Sequence, residues 1–219
     1  MSKVLVIAEH NGETLNPSTA KSVSCATQID GATVDVAVFG SSVGGVAAEA
    51  AELSGVARVL SVEREENDSA IAAILAPQIV ALASDYSHIF GPSTTFGKDL
   101  MPRVAALLGV NQISDVMSVE GSHSFKRPIY AGNAIVSVEA PADSIVIATV
   151  RTASYQAADR GNNAPVEAAS VDAELPTHTR FVELRTGTSD RPDLQAAARV
   201  VSGGRALGSE ENFELIYKL

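Results

Sequence analysis

Tryptophan is absent from this sequence, aromatic residues make up 5% of it, and a single cysteine, Cys25, occurs in 219 residues. With 46% hydrophobic residues, the core must be filled by Ala, Val, Ile and Leu, small side chains that suit helices stacked on a largely parallel sheet. One cysteine forms no internal disulfide and fits a reducing cytoplasm. As a small apolar helix residue, Cys25 needs no further role. Cations are in the minority: 16 Lys and Arg against 26 Asp and Glu leave a formal charge of −10. Such a surface repels a phosphate backbone, which argues for no nucleic-acid partner. No apolar run reaches membrane-spanning length, so the chain is expected not to be membrane-embedded, and residues 1–10 enter a strand with no signal-peptide pattern.

Familiar catalytic signatures are missing as well. There is no nucleophile elbow, no P-loop and no G-x-G-x-x-G; the stretch Gly40-Ser41-Ser42-Val43-Gly44-Gly45 comes nearest, with the wrong spacing. His10, His88, His123 and His178 are scattered along the chain, and with one cysteine none of the usual zinc sites can be assembled.

What is there reads as an alternation. Lys3–Ala8 (KVLVIA) is a continuous apolar run, the mark of a strand buried on both faces. Asn16-Pro17-Ser18 opens a helix, with Asn16 able to cap it and Pro17 suited to its first turn. The spacing predicts strands at Val34–Phe39, Val56–Val62 and His88–Gly91, and helices at Val43–Leu53 and Gly97–Leu108. Between them, Pro77 is expected to split Asp68–Ala83 into a short turn and a fresh helix. Strand then helix four times over predicts an α/β fold with a mostly parallel sheet flanked by helices and right-handed crossovers. After Gly109 the order changes: Gln112–Val119, Ser124–Tyr130, Ala134–Glu139 and Ile145–Val150 read as strands with short links, an antiparallel addition. Residues 152–178 have the composition of a long mobile connection, Thr179–Leu184 that of a further strand, and Thr186–Pro192 that of a linker.

Two stretches are candidates for chemistry. Gly91–Lys98 (GPSTTFGK) lies at the carboxyl end of a predicted parallel strand and leads into a helix. Its N–H groups, Thr hydroxyls and Lys98 could cradle a phosphate, making the chain a standalone adenine-nucleotide-binding module; a pure interaction module that binds no ligand is a further reading. Alternatively Ser93, Thr94 or Thr95 only caps the helix and Lys98 is solvated. Further on, Ala198–Ser202 reads as a strand, Gly203–Gly208 (GGRALG) as a turn and Ser209–Leu219 as a helix. Adjacent glycines admit a ligand close to the backbone, and Arg205 beside helix N–H groups suits a pyrophosphate; the alternative is a plain turn with an exposed arginine. One strand and one helix cannot bury a core of their own, so this segment is expected to open a second α/β unit that continues past Leu219, and its apolar residues to be weakly packed.

Several stretches together resemble the alpha subunit of electron-transfer flavoprotein: KVLVIAEH at 3–10, DYSHIFGPSTTFGKDLMPRVAALLGVNQISDV at 85–116, RPIYAGNAI at 127–135, TVR at 149–151, and VVSGGRALGSEENFELIYKL at 200–219. The resemblance implies an adenine-nucleotide-hydrolase-like N-terminal α/β domain over 1–185, a linker over 186–197, and over 198–219 the first strand, turn and helix of a Rossmann-like FAD-binding domain. It implies FAD as cofactor, Arg205 as the cofactor-binding residue within this chain, and a site too incomplete here for this chain alone to hold FAD. It further implies an electron carrier without a catalytic reaction of its own, paired with an electron-transfer flavoprotein beta subunit. Such a carrier takes electrons from acyl-CoA and related dehydrogenases and passes them to a membrane quinone oxidoreductase. The family's structural AMP sits in the beta subunit, so the resemblance makes Gly91–Lys98 structural. With no mitochondrial targeting segment, a bacterial, cytoplasmic member is expected.

Overall fold

The computed structural model describes residues 2–185, 194, 197 and 199–219. The chain divides into two compact units, Met1–Phe181 and Val182–Leu219. In the first, β1 (Lys3–Ile7), β2 (Thr33–Gly40), β3 (Val56–Glu63) and β4 (His88–Pro92) alternate with α1 (Pro17–Ala26), α2 (Gly44–Ala51), α3 (Ala72–Leu82) and α4 (Thr95–Leu108). Then follow β5 (Gln112–Val116), β6 (Ser118–Val119), β7 (Ser124–Ile129), β8 (Ala134–Glu139), β9 (Val146–Val150) and β10 (Val166–Ala168).

Seven strands form one sheet in the order β10-β3-β2-β1-β4-β9-β5, every pairing parallel. The central strands are apolar along their length because helices cover both faces. Ala20, Val23 and Ala26 of α1 and Val46, Ala47 and Ala50 of α2 pack on one side. Leu75 and Ile79 of α3 and Leu100, Met101 and Val104 of α4 pack on the other. The helix boundaries follow local chemistry. The Asn16 side chain accepts from the Ser18 N–H at 2.9 Å with Pro17 in the first turn, and Gly109 ends α4 in the left-handed region at φ 69°.

Parallel strands β2 and β3 are tied at their amino-terminal end by a buried carboxylate. Asp35, 2% exposed, accepts from Arg58 Nη2 and from the Tyr86 hydroxyl, each at 2.7 Å. Lys3 stands 3.8 Å from the same carboxylate and 4.6 Å above the Tyr86 ring.

Several expectations are corrected. Pro77 does not split its segment: α3 runs continuously through it, preceded by a short 3-10 turn at Glu65–Asp68. The core face of Leu75, Ala76 and Ile79 supplies packing that offsets one missing hydrogen bond. The strands after Gly109 are not a single antiparallel addition. β5 and β9 join the parallel sheet, and only β6-β7-β8 form a separate antiparallel sheet, anchored by fully buried Phe125 against Phe90 at 6.2 Å. Residues 152–178 are not a loose connection. Tyr155, Ala164 and Val171 are buried, Arg160 pairs with Glu49 and Glu52, Asn162 binds the carbonyls of Leu53 and Val56, and β10 lines the sheet edge. No strand forms over 179–184, where Val182 and Leu184 are 76% and 78% exposed and find no pairing partner.

In the second unit, the described part of the expected strand 198–202 is irregular, with Val200 and Val201 53% and 55% exposed. A β-strand is held by neighbouring strands, and none lies beside it among the described residues. The expected helix 209–219 is two short pieces, a 3-10 turn at Glu211–Phe213 and α5 (Glu214–Tyr217). The expected linker at 186–192 lies outside the described residues.

Candidate functional site

An open parallel sheet binds ligands where the strand order reverses. Here the chain builds β1, β2 and β3 outward on one side and returns to place β4 on the other side of β1. The crevice between the carboxyl ends of β1 and β4 is therefore the place to look, and Gly91–Lys98 borders it. Its polar groups are already engaged. Thr94 donates its hydroxyl to Glu9 Oε2 at 2.9 Å, Ser18 at the start of α1 donates to the same oxygen at 2.7 Å, and the Thr94 side chain also caps the Gly97 N–H. A carboxylate thus stands where a phosphate would have to sit. Gly97 serves packing: a Cβ there would lie 1.8 Å from the Pro92 carbonyl oxygen. Lys98 is exposed. The geometry matches the capping alternative, and Glu9, which carries no motif, is the residue sequence reasoning passed over.

The turn around Arg205 is different. Arg205–Leu207 forms one 3-10 turn, closed by the Leu207 N–H on Gly204 O and the Gly208 N–H on Arg205 O, both at 3.0 Å. Gly208 has φ 77°, a conformation a Cβ would strain. Gly203 lets Leu207 fold over it, since a Cβ there would lie 2.2 Å from Leu207 Cδ1. Asn212 donates its side-chain amide to the Leu207 carbonyl and ties the turn to the next segment. Beside Gly204 no atom lies within 4 Å of where a Cβ would point, leaving the backbone open to approach. Gly203, Gly204, Arg205, Gly208, Ser209 and Phe213 line an open depression of about 480 Å³. The Arg205 side chain is exposed, and its guanidinium makes no hydrogen bond or ion pair with a described residue.

Comparison with known proteins gives the family. Residues 4–174 match the electron transfer flavoprotein domain. The chain belongs to the electron transfer flavoprotein family. Among its relatives, the electron transfer flavoprotein subunit alpha of Pseudomonas aeruginosa is 43% identical over 217 residues, spanning 99% of this chain and 69% of that protein. The corresponding protein of Paracoccus denitrificans is 45% identical over the same length and shares. The mitochondrial alpha subunit of Dictyostelium discoideum is 38% identical over 234 residues, covering all of this chain and 65% of the relative.

Within this flavoprotein-family fold the remaining candidates are structural. The sequence leaves the histidines unrelated, yet folding brings the rings of His88 and His123 to 5.6 Å. His88 is fully buried, with Nε2 donating to the Ser122 carbonyl at 2.6 Å and Nδ1 on the Ser87 hydroxyl at 2.8 Å. Burial holds its pKa below the usual histidine value, the Ser122 carbonyl opposing. No group of three potential metal ligands occurs among the described residues. Cys25 is buried, and loss of hydration pushes its thiol up to about 12, opposed by Tyr155. No helix among the described residues is long and apolar enough to cross a membrane.

Proposed function

We propose that this chain acts as the alpha subunit of an electron transfer flavoprotein, with Arg205 holding the diphosphate of FAD. The observation that carries this reading is the Arg205 guanidinium, without a partner among the described residues, beside the open Gly204 backbone. A planar guanidinium able to bind bidentately, next to backbone N–H groups without a Cβ in the way, suits two adjacent phosphates. The depression is shallow and offers no enclosing pocket for the ring systems of FAD, so the turn is one wall of the site. Residues 198–219 are read as the opening segment of the FAD-binding unit and 186–197 as the linker to it. FAD, when bound, supplies a ring system that takes up and gives off electrons. The chain's own contribution is to bind and orient: Arg205 neutralises phosphate charge, and Gly203 and Gly208 shape the turn that presents it. Family resemblance supports the rest, namely a beta subunit as obligate partner, acyl-CoA and related dehydrogenases as donors, a membrane quinone oxidoreductase as acceptor, and the bacterial cytoplasm as the compartment. No group in this chain is assigned a catalytic step. The adenine-nucleotide alternative at Gly91–Lys98 is disfavoured by the Glu9 carboxylate.

The test is co-expression with the beta subunit of the chain extended to its relatives' length. The purified complex should carry stoichiometric flavin absorbance, and the 219-residue chain alone should not. A colourless extended complex would contradict the reading.

A further inference from the structure

The loop from β1 to α1 brings together groups that the sheet does not need for packing. Asn11, Gly12, Glu13 and Thr14 are exposed, and a bridge between His10 and Leu15 closes the loop. Two sets of contacts converge on the Asn11–Gly12 peptide unit. His10 Nε2 lies 2.8 Å from the Phe39 carbonyl, which can only accept, so the proton of a neutral ring sits on Nε2. Nδ1 then offers a lone pair, and the Gly12 N–H donates to it at 3.0 Å. A base thus touches the amide nitrogen that follows Asn11.

The second set holds the Asn11 side chain. Its Oδ1 accepts from the Glu13 N–H at 3.0 Å, the Thr14 N–H at 2.8 Å and the Thr14 hydroxyl at 3.2 Å. Donors so placed polarise a carbonyl and stabilise the oxyanion that forms when it is attacked. The Asn11 Nδ2 group makes no hydrogen bond with a described residue, so nothing there retains it. Gly12 has φ 94° and no atom within 4 Å of where a Cβ would stand, so no side chain obstructs ring closure. A turn that only orders the loop would use the same Oδ1 contacts, but it has no need of a histidine nitrogen on the Gly12 N–H.

We propose that Asn11–Gly12 is a self-modification site, at which the chain converts its own asparagine to aspartate and isoaspartate. His10 Nδ1 takes the Gly12 amide proton, the Gly12 nitrogen bonds to Asn11 Cγ, and the Cγ–Nδ2 bond breaks. The proton leaves with Nδ2 as ammonia. Water then adds to either carbonyl of the cyclic imide, opening it to aspartate or to the β-linked isoaspartate. The product adds negative charge beside Glu9, which already binds Ser18 and Thr94. The test follows the intact chain and a synthetic peptide of residues 6–16 at neutral pH in water enriched in heavy oxygen, read by peptide mass spectrometry. Asn11 should deamidate about tenfold faster or more in the folded chain than in the peptide, with label uptake and with isoaspartate among the products. His10→Gln should erase that difference. Thr14→Val, which keeps the backbone donor and loses the hydroxyl, should slow the folded chain by about threefold. Because Thr14 is exposed, this variant keeps the test valid if His10→Gln disturbs the fold. A folded chain no faster than the peptide would overturn the assignment, as would an unchanged rate in both variants. Aspartate formed without isoaspartate would also overturn it, since direct hydrolysis passes through no imide.

Discussion

Asp35 and Arg205 are both charged, and the two units of the chain treat them in opposite ways. In the first unit Asp35 is 2% exposed and its carboxylate is met by Arg58, Tyr86 and Lys3. In the second, Arg205 is exposed on a turn shaped by glycines, with no partner among the described residues. A buried charge persists only when its neighbours satisfy it, so Asp35 is part of what holds the sheet together. A guanidinium left open among the described residues contributes nothing comparable to folding there. On the proposed reading this is a division of labour: the buried carboxylate of the first unit is spent on structure, and the exposed guanidinium of the second would serve the FAD diphosphate.

Substitutions can break that contrast. The largest effect is expected for Asp35→Ala, which strands Arg58 and the Tyr86 hydroxyl and should cost about 3 kcal/mol in a urea melt; a cost under about 1 kcal/mol would show that the network is ornamental. Gly97→Ala drives a Cβ into the Pro92 carbonyl and should cost about 2 kcal/mol, without any phosphate affinity to lose. A smaller effect concerns His88, whose folded pKa lies below that of the unfolded chain. The unfolded state therefore binds the proton first, so the histidine's contribution is fully present above about pH 6.5 and is lost as pH falls further. Urea midpoints measured between pH 7 and 5 should fall more steeply for the wild type than for His88→Gln. Equal slopes would place the acid sensitivity elsewhere.

Much of the first unit was legible because parallel strands buried on both faces leave unbroken apolar runs, as in Lys3–Ile7 and Val34–Phe39, and because Asn16 and Gly109 punctuate the helices by local chemistry. What escaped depends on distant partners. β10 is three residues long and exposed. Its surroundings are pinned by Arg160 and Asn162 to residues more than a hundred positions away, and nothing in the Ala- and Asn-rich stretch announces this. Pro77 misled because its cost is local while the packing that offsets it is tertiary. Val200 and Val201 carry strand propensity, but propensity without a neighbouring strand yields no strand. At the site, Arg205 was named from the sequence by its glycines and its family resemblance. Glu9 was invisible, since a lone glutamate gains meaning only when folding brings Ser18 and Thr94 to its carboxylate.

The contrast is tested most directly by Arg205→Ala in the extended subunit paired with its beta partner, measuring flavin affinity and urea stability on the same preparation. The account predicts that flavin affinity falls by about tenfold or more while stability without flavin shifts by less than about 0.5 kcal/mol. Unchanged flavin affinity, or a fold that collapses with Arg205, would contradict it.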